Sequence, residues 1–279
     1  MRAPVASTKV VRTEAGTVAT ADDLLVTEEP LEIRLGHGPL DARDEFRLSV
    51  TMRTPGNDEE LALGFLFTEG IIADPAQVVR SVFCEDVKEE ERGNVIRVEL
   101  RPEAHVDPGK WQRNFYTTSS CGVCGKSSIE AVHAQCKRPL AAWDAIDPKV
   151  ITALPGRMRE AQTVFQHTGG IHAAALFDRS GKLLLLREDV GRHNAVDKVI
   201  GAALGSRLPV EESMLLVSGR AGFELVQKCV VAGIPLMAAV GAPSSLAVSL
   251  ARASSLTLIG FLRGERFNIY SGSLGSRAT

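Results

Sequence analysis

The stretch MLLVSGRAGFELVQKCVVAGIPLMAAVGAPSSLAVSLARASSLTLIGFL at residues 214–262 decides the fold. Its short apolar segments predict strands at residues 214–217, 236–240 and 256–262. The intervening segments, residues 224–231 and 244–253, have the longer apolar periodicity of helices. Strands that alternate with helices in this way favour an α/β fold with a largely parallel sheet.

Upstream of this stretch the pattern changes twice. Residues 173–177 and 182–187 predict a hairpin, and residues 194–204 predict a helix. Closer to the N-terminus, strands are predicted at 31–35, 46–53 and 95–100, with a buried helix at 59–69. We therefore divide the chain into a flexible N-terminus (1–22), an α+β region (23–110), a thiol loop with its following helix (111–136) and an α/β core (137–279).

The composition is that of an ordinary globular protein. The chain has 279 residues, 44% of them hydrophobic and 24% charged. A net charge of −2 gives no indication of nonspecific binding to nucleic acid or to an anionic membrane. No apolar run reaches the roughly 18 to 20 residues that cross a bilayer. The first 20 residues lack the apolar core of a signal peptide, so we expect a cytosolic protein.

The most reactive feature is the motif Cys121-Gly122-Val123-Cys124-Gly125. Residues 126–133 have a helical pattern, which would place the two thiols at a helix N-terminus, where the helix dipole favours thiolate. Three kinds of chemistry use such a pair: half of a zinc site, a thioredoxin-like disulfide couple, or a carrier that holds sulfur as a persulfide.

The surroundings of the motif favour the third kind. A zinc site would need further ligands, and the nearest candidates, His133 and Cys136, have unusual spacing. A thioredoxin-like motif follows a strand, whereas residues 111–120 have the pattern of a loop. A loop flanked by glycines suits a carrier that must reach both a donor and an acceptor. The remaining cysteines, Cys84, Cys136 and Cys229, are predicted to be buried small hydrophobes.

Zinc deaminases also combine an α/β fold with a CxxC motif and a histidine. Their signature is H-x-E followed by P-C-x-x-C. Here Ala174 stands at the glutamate position after His172, and the CxxC precedes the histidine. The sequence therefore argues against deamination.

Small, polar and basic residues follow the predicted strands, at Ser218-Gly219-Arg220, at 241–245 and at 263–266. Carboxyl ends of parallel strands meet at one edge of a sheet, where ligands bind, so we expect an anionic ligand there. Gly191-Arg192 opens a helix and could bind a phosphate, although a capped helix start with a local salt bridge explains it equally well. His172, His193 and Phe261, each taken alone, are more often structural than functional.

Together these motifs resemble the formate dehydrogenase accessory sulfurtransferase family. The matching stretches are MRTPG (52–56), ELALGFL (60–66), TEGII (68–72), CGVCG (121–125), TGGIH (168–172), EDVGRHNAVDK (188–198), SGR (218–220), FELVQK (223–228), APSSLA (242–247) and GFLRGERFNIY (260–270). They cover most of the chain after residue 25, in one order. Gly222 and Gly241 depart from the family pattern, which more often has serine there.

The resemblance implies a cytosolic homodimer with a cytidine-deaminase-like, three-layer α/β core, a mixed but largely parallel sheet, and no metal or intrinsic cofactor. It implies that sulfur passes from a cysteine desulfurase to the molybdenum bis(molybdopterin guanine dinucleotide) cofactor of formate dehydrogenase. By position, Cys121 forms the persulfide and Cys124 assists. The residues expected to contact the cofactor are Phe261, Leu262, Arg263, Gly264, Glu265 and Arg266, to which we add Ser218, Gly219, Arg220, Gly191, Arg192 and His172. The alternative is a noncatalytic chaperone that holds the cofactor and docks the apoenzyme.

Overall fold

The computed structural model describes residues 3–39, 41–104, 106, 140 and 145–275. The thiol motif at 121–125 and its predicted helix lie outside the described residues. The strands are β1 (Val5–Glu14), β2 (Thr17–Val26), β3 (Glu29–His37), β4 (Asp44–Arg53), β5 (Val78–Phe83), β6 (Val95–Leu100), β7 (His172–Asp178), β8 (Leu183–Asp189), β9 (Ser213–Val217), β10 (Leu236–Ala239), β11 (Thr257–Arg263) and β12 (Arg266–Ser271). The helices are α1 (Asp58–Thr68), α2 (Pro148–Ala161), α3 (Thr163–Thr168), α4 (Arg192–Gly205), α5 (Phe223–Ala232) and α6 (Ser245–Ala253).

The larger sheet has six strands in the order β12-β11-β10-β9-β7-β8. Strands β9, β10 and β11 are parallel, as the alternation of strands and helices predicts. The other three pairings are antiparallel, so the expectation of a largely parallel sheet is wrong. Two of these three pairs, β7–β8 and β11–β12, are hairpins, and a tight turn can join only antiparallel strands. Strand β12 was not predicted.

Helices cover both faces of this sheet. Along β7, Ala173 and Phe177 pack in one apolar cluster with Leu154 of α2. The alternating residues Ala174 and Leu176 belong to a second cluster that contains the apolar residues of α4, α5 and α6. The fold is therefore mixed α/β with helices on both faces, and its likeness to cytidine deaminases in particular stays a prediction.

A second sheet, in the order β4-β3-β6-β5, packs with α1 against the helices of the larger sheet. Helices α1 and α4 touch through backbone at Gly64 and Gly201. A Cβ added to Gly201 would collide with Glu60 O and would lie 2.9 Å from Gly64 N. The apolar cluster runs without interruption from the second sheet to α4 and α5, so the two sheets share one core.

No strand was predicted in the N-terminal residues. Residues 5–26 form the antiparallel hairpin β1–β2. Its turn is Ala15-Gly16, where both φ angles are positive (47° and 84°), as in the type I′ turn that matches strand twist. Polar residues dominate β1, and β2 has no regular alternation of apolar and polar residues, so neither strand is evident in the sequence. Across the ranges that the structure describes, no helix has the length and apolar character needed to cross a membrane.

Candidate functional site

The candidate residues that the structure describes lie along one end of the six-stranded sheet, where its parallel strands have their carboxyl ends. We call this end of the sheet the edge. The parallel strands β9, β10 and β11 end there. Because β7 runs antiparallel to β9, its first residue, His172, lies at the same edge, and β8 ends there beside it. Helix α4 then begins at Arg192, directly after β8. Topology thus brings together segments that are far apart in the chain, as the strand-end argument predicts for the three parallel strands.

The loops after β9 and β10 are joined by backbone contacts. Gly241 N donates to Gly219 O at 2.9 Å, and Ala221 pairs with Pro243. A Cβ on Gly241 would lie 3.0 Å from Gly219 O and 3.1 Å from Arg220 Cα, so glycine permits this approach. Gly222 has open space around it, so a serine would fit there. Of the two departures from the family pattern, only that at Gly241 follows from close packing.

The β11–β12 hairpin extends past the end of β10 and overhangs the edge. Phe261 has φ = 52°, a conformation that is costly for a bulky residue, and its side chain is 42% exposed. Phe261 N donates to Gly241 O at 3.0 Å, and Arg263 Nε donates to Val240 O at 3.3 Å. These two hydrogen bonds hold the hairpin against the loop after β10. Phe261 is therefore a surface residue and is not part of the core.

Leu262 does not share this exposure. Its side chain is fully buried in the apolar cluster on the α2 face of the sheet. Because alternate residues of a strand point to opposite faces, the Leu262 side chain is turned into the core, and a ligand contact at Leu262 would have to involve its backbone. Gly264, Glu265 and Arg266 are exposed at the hairpin turn.

His172 lies at this edge, at the start of β7. It pairs with Asp189 across the β7–β8 ladder, and a Cβ on Gly219 would lie 3.6 Å from His172 Nδ1. Burial and the nearby Arg192 guanidinium lower the pKa of His172 below its ordinary value, although Asp189 opposes the shift. The imidazole is consequently neutral at neutral pH and can act as a hydrogen-bond donor and acceptor. Ser218 Oγ accepts a hydrogen bond from Ala173 N at 2.9 Å, which joins β9 to β7.

Asp189 is fully buried and organises the start of α4. Its Oδ1 accepts hydrogen bonds from Gly191 N at 2.8 Å and from Asn194 Nδ2 at 3.1 Å. Its Oδ2 accepts from Thr54 N at 3.1 Å and lies 2.7 Å from Lys198 Nζ. This is the local salt bridge that the sequence offered as the alternative at Gly191-Arg192. Burial raises the pKa of Asp189, while the Lys198 ammonium and these hydrogen bonds favour the carboxylate.

A second pair of ionisable groups lies at the same helix start. His193 Nε2 lies 2.6 Å from Glu224 Oε2, which links the first turn of α4 to the first turn of α5. The other carboxylate oxygen, Glu224 Oε1, is buried and has no hydrogen-bond partner among the described residues.

Several arginines at the edge lack an acidic partner. Within the described part of the chain, Arg192, Arg220, Arg263 and Arg266 form no salt bridge, whereas buried Arg53 is paired with Asp58 at 2.8 Å. The first-turn N–H groups of α4 add partial positive charge, since the N-cap residue, Gly191, has no side chain to cap them. The edge is thus electropositive in a protein whose net charge is −2. It has the chemistry of an anion-binding surface.

Residues 26–275 match the FdhD/NarQ family. This chain belongs to that family. It is 50% identical over 270 residues to "Sulfur carrier protein FdhD" from Streptomyces coelicolor, covering 95% of this chain and 93% of the relative. It is 52% identical over 272 residues to the protein of the same name from Mycolicibacterium paratuberculosis, covering 94% and 95%. A crystal structure from Desulfotalea psychrophila, described as a formate dehydrogenase accessory protein, superposes with a TM-score of 0.74 at 26% identity over 96% of this chain and 98% of that one.

The residues that hold this edge in place in the FdhD/NarQ chain were not predicted from the sequence. Thr54, in the MRTPG motif, donates through its N–H to Asp189 and accepts from Lys198 Nζ through its carbonyl at 2.8 Å. A second buried pair, Lys228–Asp197 at 2.9 Å, ties α5 to α4. Charged residues within otherwise apolar helices could have indicated these ion pairs, because a buried charge requires a partner.

The described residues of this FdhD/NarQ chain contain no cluster of three or more histidine, cysteine or acidic side chains that could hold a metal ion. The thiols Cys121 and Cys124 are not among those residues, so the absence of zinc remains a prediction for them.

Proposed function

We propose that this protein is a sulfur carrier that acts in the cytoplasm as a homodimer. It accepts sulfane sulfur from a cysteine desulfurase as a persulfide on Cys121. It then transfers the sulfur to the molybdenum bis(molybdopterin guanine dinucleotide) cofactor that formate dehydrogenase requires. The observation that carries the proposal is the identity of about half of all residues, over nearly the full length, with proteins named sulfur carrier protein FdhD.

The loading step is an exchange between a thiolate and a persulfide. The Cys121 thiolate attacks the terminal sulfur of the donor persulfide, the donor S–S bond breaks, and the donor leaves as a thiolate. One S–S bond forms and one breaks, so the step needs neither an oxidant nor a reductant. Attack by Cys124 on the loaded persulfide would release sulfide and leave a disulfide, which makes delivery productive only when the acceptor is bound.

The electropositive edge supports a role in binding the acceptor. The cofactor carries pyrophosphate and guanine groups. Unpaired arginines can form bidentate contacts with phosphate, and the α4 N–H groups add donors. The exposed ring of Phe261, held in a strained conformation, offers a flat surface for a base. We assign acceptor contacts to Phe261, Arg263, Gly264, Glu265 and Arg266, to Ser218, Gly219 and Arg220, and to Gly191, Arg192 and His172.

The other described cysteines are poor carriers. Cys229 is fully buried, and burial raises the pKa of its thiol far above the ordinary value. Cys84 is partly buried, and burial also raises the pKa of its thiol. Since the thiolate is the nucleophile, both are expected to stay protonated and unreactive.

The test is mass spectrometry of the protein after incubation with a desulfurase and cysteine. A mass increase of one sulfur on the peptide that contains Cys121 is expected, and Cys121→Ala should abolish both this increase and the maturation of formate dehydrogenase. Cys229→Ala is the matched control and should retain both. An unmodified Cys121 in a protein that still matures the enzyme would establish the alternative, a noncatalytic chaperone that holds the cofactor and docks the apoenzyme.

A further inference from the structure

The N-terminal hairpin β1–β2 has two faces of different character. Because side chains alternate along a strand, the outer face is formed by Val5, Ser7, Lys9, Val11 and Thr13 of β1 and by Val18, Thr20, Asp22, Leu24 and Val26 of β2. The opposite side, the inner face, carries among others Thr8, Val10, Arg12, Ala21 and Asp23.

The inner face is covered by the rest of the chain over more of its length than the outer face, where only Val5 and Val26, at the open end of the hairpin, are partly covered. Thr8, Val10, Ala21 and Asp23 are partly covered, and β2 lies beside α3. On the outer face Val11 is 72% exposed, Val18 65% and Leu24 40%. The outer face therefore presents three large apolar side chains to solvent, against one on the inner face, Leu25 at 52%.

Both strands also have an unpaired edge. The hairpin forms a sheet of its own, and neither strand pairs with any other strand in the described ranges. Two-stranded hairpins are marginally stable in water unless something packs on them. Strands of ten residues with apolar side chains on an open face are thus suited to being covered.

The charges of the outer face are self-complementary. Lys9 on β1 lies opposite Asp22 on β2, and their charged groups are 2.9 Å apart. A second hairpin, rotated by 180° about an axis along the strands and placed on this face, brings each Lys9 over the other copy's Asp22. The same rotation places Val18 over Thr13 and Leu24 over Ser7, with Val11 over Thr20. No like charges meet, and the contact is the same from both sides, as a twofold interface requires.

We propose that the outer face of the β1–β2 hairpin is an interface between two copies of this chain. The inference rests on the proposed homodimer and assigns its contact surface. The family match covers residues 26–275, so nearly all of the hairpin lies before the part of the chain that matches the family. From strand dimensions the face measures roughly 330 Å² per copy. A standard interface buries about 800 Å² per partner, so neighbouring surface contributes the remainder.

The test uses charge reversal in the full-length protein. Lys9→Asp gives a hairpin with two acidic residues on the outer face, and Asp22→Lys gives one with two basic residues. Analytical ultracentrifugation of each variant alone should show a dissociation constant raised about tenfold or more, a loss of about 1.4 kcal/mol. An equimolar mixture of the two variants should recover the dimer as a heterodimer, because each new charge then faces its opposite.

The mixture separates contact between chains from effects within one chain, since the Lys9–Asp22 pair stays broken inside every molecule. Arg12→Asp is the matched control, because Arg12 lies on the inner face and pairs with Asp23 there. It should leave the dissociation constant unchanged. A wild-type dimer that neither outer-face variant weakens would overturn this interface and leave the homodimer intact. A wild-type protein that is monomeric at all concentrations would overturn both, while the persulfide assay on Cys121 would still decide the carrier function.

Discussion

Lys198 Nζ lies 2.7 Å from the Asp189 carboxylate, and both side chains are buried. Lys198 also donates to Thr54 O, and Asp189 accepts from Gly191 N. One ion pair therefore connects the end of β8, the start of α4 and the loop before α1. These are the segments that place His172 and Arg192 at the sheet edge.

Replacing Lys198 with methionine should lower the free energy of unfolding by about 3 to 5 kcal/mol, because Asp189 would be left as a buried charge without its partner. Urea denaturation followed by circular dichroism measures the change. Arg12→Met is the control: Arg12 and Asp23 form an exposed pair at 3.8 Å, whose loss should cost less than about 1 kcal/mol. Equal effects from the two substitutions would show that the buried pair does not stabilise the fold.

The contact between α1 and α4 depends on glycine. Gly201→Ala should destabilise the protein by at least about 1 to 3 kcal/mol, because the new methyl group meets Glu60 O and Gly64 N. Gly205→Ala, in the same helix with no atom within 4 Å of the added Cβ, should be neutral or stabilise by about 0.5 to 1 kcal/mol. Thermal melting of both variants measures the change in stability. A Gly201→Ala variant as stable as the wild type would contradict the close contact between α1 and α4.

The pKa of His172 predicts a dependence of stability on pH. Burial and Arg192 lower this pKa in the folded protein below the ordinary value of 6.5. The unfolded chain then binds the proton more readily, so the contribution of His172 to stability is complete above pH 6.5 and is lost as the pH falls below that value. His172→Gln removes the titrating group, so its unfolding free energy should fall less steeply than that of the wild type between pH 7 and pH 5.

An anion bound at the edge should act in the opposite direction on His172. Negative charge favours the imidazolium, so GDP should raise the pKa of His172. By linkage, GDP should then bind more tightly as the pH decreases. NMR titration of the His172 ring protons with and without GDP measures the shift. A pKa that GDP leaves unchanged would place the bound anion away from His172.

Arg220 and Arg263 should contribute to binding of GDP. Replacing either with alanine is expected to weaken binding by about 1 to 3 kcal/mol, the range for a charge-assisted hydrogen bond. Calorimetric titration gives the affinities, and Arg80→Ala, on an exposed position of the second sheet, serves as the control. Sulfur loading of Cys121 should be unaffected. Identical affinities in wild type and both edge variants would move the anion site to the start of α4.

Strand and helix patterns predicted much of the C-terminal half. The apolar runs at 214–217, 236–240 and 256–262 correspond to β9, β10 and β11. They could be recognised because strands buried on both faces have continuous apolar sequence. The hairpin β1–β2 and strand β12 were missed, since exposed strands carry polar residues that hide their alternation. Leu262 was placed in the site by its motif, although its position along β11 turns its side chain into the core.

The sequence by itself determined the family, the order of the main elements and the meeting of the three parallel strand ends, because local periodicity and motif order depend only on neighbouring residues. Tertiary structure alone decided which charges are paired. Lys198 reaches Thr54 across 144 positions, and Lys228 reaches Thr68 across 160. Such partners depend on how closely α1 crosses α4 at Gly64 and Gly201, and no local spacing specifies that contact. The arginines at the edge that form no salt bridge with another described residue are the ones we expect to contact an anionic ligand.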